Sequence, residues 1–149
     1  MYKQVLLIIT GTLLAGCVSI PKTPDALVST PKLSASYCYA NDVSPVQLRI
    51  KHYLNGCYKT VETDTMLIVG GAFVFLPMTL EFYVVEEMIP GGKRYSVGNR
   101  HGYGFSAEVV DGADGCRTHV GLYAVTGFWQ KTFIQTDRAA KGMDAHCTK

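Results

Sequence analysis

The residues with the most chemical potential are five cysteines. One of them, Cys17, stands apart at the end of an apolar leader, and an even set remains at Cys38, Cys57, Cys116 and Cys147. Thiols can bind metal, carry out redox exchange or attack a carbonyl, and the spacing decides which. No C-x-x-C pair occurs, so neither a thioredoxin-like site nor a zinc ribbon is indicated, and an even count outside the cytoplasm reads as two disulfides. The histidines, His52, His101, His119 and His146, show no H-x-x-x-H spacing, and no serine stands in a nucleophile-elbow pattern. Asp111-Gly112-Ala113-Asp114-Gly115 has the flavour of a calcium loop but lacks a third acidic ligand and the distal glutamate, so it reads as a turn. Gly91-Gly92-Lys93-Arg94 is out of order for a phosphate loop and reads as a basic turn of solvated charges, with a small cationic patch shared with Arg100 and His101 as the alternative. No catalytic, metal-binding or cofactor-binding residue is predicted.

The chain begins with one lysine, Lys3, followed by a mostly apolar run from Val5 to Leu14 and then Leu14-Ala15-Gly16-Cys17. About ten apolar residues fall short of the roughly 20 that a membrane-spanning helix needs, so residues 1–16 read as a signal peptide. The last four residues resemble the lipobox of bacterial lipoproteins. That resemblance implies cleavage before Cys17, a diacylglycerol on its thiol and fatty-acyl chains such as palmitate. Val18 and Ser19 follow in place of the aspartate that retains such proteins at the inner membrane. The resemblance therefore implies a lipid anchor in the outer membrane, with the domain facing the periplasm.

The remainder, residues 17–149, suits one domain. The whole chain carries a net charge of +2 and 17% charged residues, which gives no basic surface for nucleic acid. Residues 17–36, with Pro21, Pro24, Pro31 and several serines and threonines, read as a lipidated cysteine and a flexible tether, leaving a globular domain over residues 37–149.

The elements within that domain follow from periodicity. Ser44 as a cap, Pro45 in the first turn and Gly56 past the end frame a helix whose apolar face carries Val46, Ile50, Tyr53 and Leu54, although Val46, Leu48 and Ile50 would also alternate as a strand. The run over residues 66–85 is the most apolar part of the mature chain. Gly70-Gly71, Pro77 and Glu81 argue against a second membrane helix and for buried strands over residues 67–75 and 80–86. Further strands are predicted from Tyr95 to Val109 and from Thr118 to Ala124, with turns near residues 99–102 and 111–115. Phe128, Trp129, Phe133 and Ile134 recur at helical spacing, which predicts a last helix over residues 128–141 stopped by Gly142. The expected fold is α+β: an antiparallel sheet with an early helix and a C-terminal helix packed on one face. Four cysteines allow three pairings. The lengths of these elements favour Cys38 with Cys57 and Cys116 with Cys147.

Taken together, these readings point to a non-enzymatic envelope module, lipid-anchored and binding or helping to assemble an envelope protein that the sequence does not identify. A periplasmic inhibitor or immunity lipoprotein is the alternative, and a small hydrolase a more distant third.

Overall fold

The computed structural model describes residues 19–58, 60–69, 72–113 and 115–148. Cys17 and the leader before it lie outside the described residues. The architecture is α+β. Its centre is a five-stranded antiparallel sheet in the order β1-β7-β6-β5-β4, formed by β1 (Leu33–Tyr39), β4 (Tyr83–Ile89), β5 (Gly92–Asn99), β6 (Gly102–Asp111) and β7 (Thr118–Ala124). The turns expected near residues 99–102 and 111–115 connect β5 to β6 and β6 to β7.

Register assigns the two faces of this sheet. Tyr95 lies opposite Ala107, Ala107 opposite Leu122 and Leu122 opposite Ala35, so these residues share one face with Val97, Phe105, Val109 and Val120. Two helices cover that face, α2 (Val43–Cys57) and α3 (Gln130–Ala140). The predicted α2 face, Val46, Ile50, Tyr53 and Leu54, is buried. The helix starts a little earlier than expected, with Asp42 at the cap position, and Gly56 falls inside its last turn. Arg49 donates to the Ala140 carbonyl (3.1 Å) and joins the two helices.

The tether expected over residues 17–36 is corrected by the structure. Thr23 caps a helix, α1 (Pro24–Ser29), by accepting from the Ala26 amide, and Pro24 occupies its first turn. The same prolines and hydroxyls that suggest a linker also start helices, because proline has no amide to leave unpaired there and a hydroxyl can satisfy one that is. Leu27 is fully buried, and β1 then pairs along its whole length with β7. The folded body thus begins well before residue 37.

Helix α1 covers part of the second face, which is polar. Ser96 and Ser106 are buried there and bonded to each other at 2.7 Å. Arg94 reaches Asp25 of α1 (2.6 Å) and Glu108 (2.8 Å), while the other Glu108 oxygen accepts from the Tyr123 hydroxyl (3.3 Å). Burial works against the Arg94 charge, but its hydrogen bonds to Asp25 and Glu108 outweigh that and hold its pKa above the ordinary value.

The apolar run also departs from expectation. It forms a separate antiparallel hairpin of β2 (Thr60–Val69) and β3 (Ala72–Glu81), outside the five-stranded sheet. Val69 pairs with Ala72, so residues 67–75 are not one strand, and the Gly70-Gly71 connection lies outside the described residues. A two-residue glycine connection is a strong hairpin signal in the sequence that the single-strand reading passed over. Among the described residues no helix is long and apolar enough to cross a membrane.

The disulfides join Cys38 to Cys116 and Cys57 to Cys147, with Cα separations of 5.5 and 5.1 Å. The expected pairing, Cys38 with Cys57 and Cys116 with Cys147, is therefore overturned. It assumed that neighbouring elements fold back on each other. Instead β1 lies beside β7, which sets Cys38 opposite His119 and next to the loop carrying Cys116. The last helix packs against α2, which carries the C-terminal tail to the end of α2 at Cys57.

Candidate functional site

A cavity of about 370 Å³ opens at the end of the sheet where β5 turns into β6. It is lined by Ile20, Phe82, Gly98, Asn99, Gly102, Gly104, Val125, Thr126, Phe128 and Trp129. Glycines make room for it. A Cβ on Gly104 would stand 2.6 Å from the Trp129 ring, so only a bare backbone lets the indole lie this close to β6. Gly102 has φ +134°, and a Cβ there would meet the Pro21 carbonyl oxygen at 2.3 Å. The turn between them is set by Asn99, whose side-chain oxygen accepts from the His101 amide at 2.8 Å.

The inner wall is aromatic. Trp129 is buried and packs on Phe105 (centroids 5.7 Å apart), Tyr58 (5.5 Å) and Phe82 (6.3 Å). Phe128 stands at the mouth with 72% of its surface exposed. Residues 127–129 form a 3-10 turn before α3, and Ile134 is also exposed, so the run expected to form a single buried helix face is split. This turn leaves Trp129 buried and Phe128 exposed. Nearby, burial and then Tyr83 push the Tyr103 phenol above its ordinary pKa, which keeps it neutral. Among the described residues the lining contains no titratable side chain, only Asn99 and Thr126 among apolar groups. Such a cavity can hold an apolar group.

The N-terminal segment belongs to this end of the molecule. The Tyr103 amide donates to the Pro21 carbonyl (2.9 Å), Lys22 Nζ donates to the His101 carbonyl (2.7 Å), and Ile20 forms part of the cavity wall. Nothing in the sequence reading marked this seat. The available signals were the glycines at 98, 102 and 104 and the adjacent aromatics at 128 and 129.

The other candidate residues are dispersed. Lys93 bonds Glu86 (2.6 Å), and Arg94 is held under Asp25 and Glu108, whereas Arg100 and His101 lie beyond the far end of β5. The alternative of a single cationic patch is therefore set aside. Around residues 111–117, the Gly112 amide donates to the Arg117 carbonyl and the Cys116 amide to that of Ala113, which makes this segment a turn. Ser36 Oγ lies 2.6 Å from His119 Nε2 on the exposed polar face of β1 and β7. That is the distance of a nucleophile and its base, but the pair lies away from the cavity and no described carboxylate bonds the ring. Among the described residues no group of three or more metal-ligating side chains comes together. The chain matches no known protein-family model, no curated protein and no solved structure.

Proposed function

We propose that this chain is a lipid-anchored envelope protein. It is cut after residue 16, acylated at Cys17 and held on the periplasmic side of the outer membrane, where it binds or helps assemble an envelope component without catalysing a reaction. The sequence carries the address. The observation that supports the role is how little chain lies between the anchor and the body. Pro21 is already bonded to β6 and Ile20 is seated in the cavity wall, so only residues 18–20 intervene. Fully extended, that segment reaches at most about 14 Å. A domain on so short a lead stays at the membrane surface with its cavity end toward the anchor, and its partner search is confined to that layer. An apolar cavity without titratable groups suits binding better than chemistry.

The test is metabolic labelling with a fatty-acid analogue, followed by separation of inner and outer membranes. The wild-type chain is expected to label and to travel with the outer membrane, and Cys17→Ser to lose the label and remain uncleaved. Undiminished labelling of Cys17→Ser would refute the reading.

A further inference from the structure

The hairpin β2–β3 is rooted at the same end as the cavity. Its base pair, Thr60 with Glu81, is followed directly by Phe82 of the cavity lining and preceded closely by Tyr58 of the aromatic wall. From there the ladder runs nine rungs to Val69 and Ala72, about 30 Å at strand rise. Residue type changes along its length. The base half holds every acidic residue of the hairpin, Glu62, Asp64 and Glu81, with all of its threonines. The tip half, Met66 to Val69 paired with Ala72 to Phe75, is apolar at every position on both faces.

We infer that this tip enters the phospholipid bilayer beside the lipid anchor, as far as the boundary between headgroups and acyl chains. The inference rests on the lipoprotein reading for its location but not for its physics. Four rungs measure about 10 Å, the depth to which an apolar face buries at that boundary. The acidic base then falls at the headgroups, level with Ile20 and the exposed Phe128 of the cavity mouth. A glycine pair, a proline and a carboxylate weaken a membrane helix, but a hairpin uses them differently. The carboxylates stay at the base. Pro77 fits a strand whose nitrogen faces an open edge, where it leaves one fewer amide without a partner. The open edges also set the limit of insertion. A lone hairpin cannot go deeper into the hydrocarbon core, because its outward backbone groups would have no hydrogen-bond partner there.

The experiment uses residues 18–149, which retain every described element, and vesicles of phosphatidylethanolamine with phosphatidylglycerol. Because this form has no acyl chain, its flotation with vesicles reports on the tip alone, and Cys17 labelling reports separately on the anchor. The wild-type body is expected to float. Leu67→Asp and Val74→Asp, a cross-strand pair in the tip, should each lower partitioning about tenfold. Met88→Asp, which replaces an apolar side chain 77% exposed near the opposite end of the sheet, should leave it unchanged. Circular dichroism and intact disulfides would show that the five-stranded body has kept its fold. Failure of the wild-type body to float, unchanged partitioning of both tip variants, or an equal loss with Met88→Asp would each overturn the inference.

Discussion

Consider replacing Cys57 and Cys147 together with serine. The bond between them closes 90 residues of sequence. In the chain-entropy picture a loop of that length restricts the unfolded state by about 4.6 kcal/mol. The second bond, Cys38 to Cys116, interleaves with the first and provides a shortcut, so the loop closed by Cys57–Cys147 is effectively roughly 50 residues, worth about 4 kcal/mol. The same bond fastens the tail after α3. Without it, that tail keeps the His146 amide on Gln135 (2.9 Å), Arg138 on the Asp144 carbonyl (2.8 Å) and Thr148 on Tyr58 and Thr132 (both 3.0 Å). These contacts preserve the fold but do not restrict the unfolded chain. The double variant should therefore fold, lose about 4 kcal/mol in urea titration and melt on the order of 10–15 °C lower. Hydrogen exchange should quicken first in residues 143–148. The mixed variant Cys38→Ser/Cys57→Ser is the decisive companion, since with the observed pairing it breaks both bonds and leaves Cys116 and Cys147 as free thiols. If that variant instead keeps a Cys116–Cys147 link in non-reducing peptide mapping of the folded protein and matches the first in stability, the pairing argument and the path of the final helix fail together.

Three further outcomes follow from the packing. Arg94→Met leaves Glu108 without its cation on a half-covered face and should cost about 2–3 kcal/mol in urea titration, with Arg94→Lys intermediate; a cost below roughly 0.5 kcal/mol would mean that the Asp25–Arg94–Glu108 cluster is solvated. Burial, with help from Asp137 at Tyr39, raises the phenol pKa values of Tyr39 and Tyr53, and burial pushes Tyr95 up to about 12. Because these folded values exceed the unfolded ones, the stability they contribute is complete below pH about 10 and is lost as pH rises beyond it. Urea midpoints should fall above that pH, and tyrosinate absorbance should rise in step with unfolding; independent titration of all the tyrosines in the folded state would contradict this. Gly102→Ala sets a Cβ against the Pro21 carbonyl at a positive φ and should cost about 1–2 kcal/mol. It should also speed proteolysis near Pro21, and unchanged cleavage there would show that the N-terminal segment is not seated on β6.

Much of the scaffold was legible because it depends on local rules. The buried face of α2 appears as the spacing of Val46, Ile50, Tyr53 and Leu54, and the strands β6 and β7 as alternation between turns rich in glycine, asparagine and aspartate. Even cysteine parity gave two disulfides without their partners. The linker reading of residues 17–36 failed at Thr23-Pro24 because the same residues start helices and interrupt them, and only the buried seat for Leu27 distinguishes the two. Cys38 and Cys116 meet through the pairing of β1 with β7, a contact across 78 positions that no local pattern encodes.

The sequence by itself determined the α+β composition and most of the main helices and strands. Tertiary structure decided which strand lies beside which, that the apolar run forms its own hairpin, and that Ile20, Phe82, Gly104 and Trp129 surround one cavity. The physical reason is range. Propensity and period are set within a few residues, whereas a cavity wall and a disulfide partner are set by how whole elements pack, which depends on every other element at once.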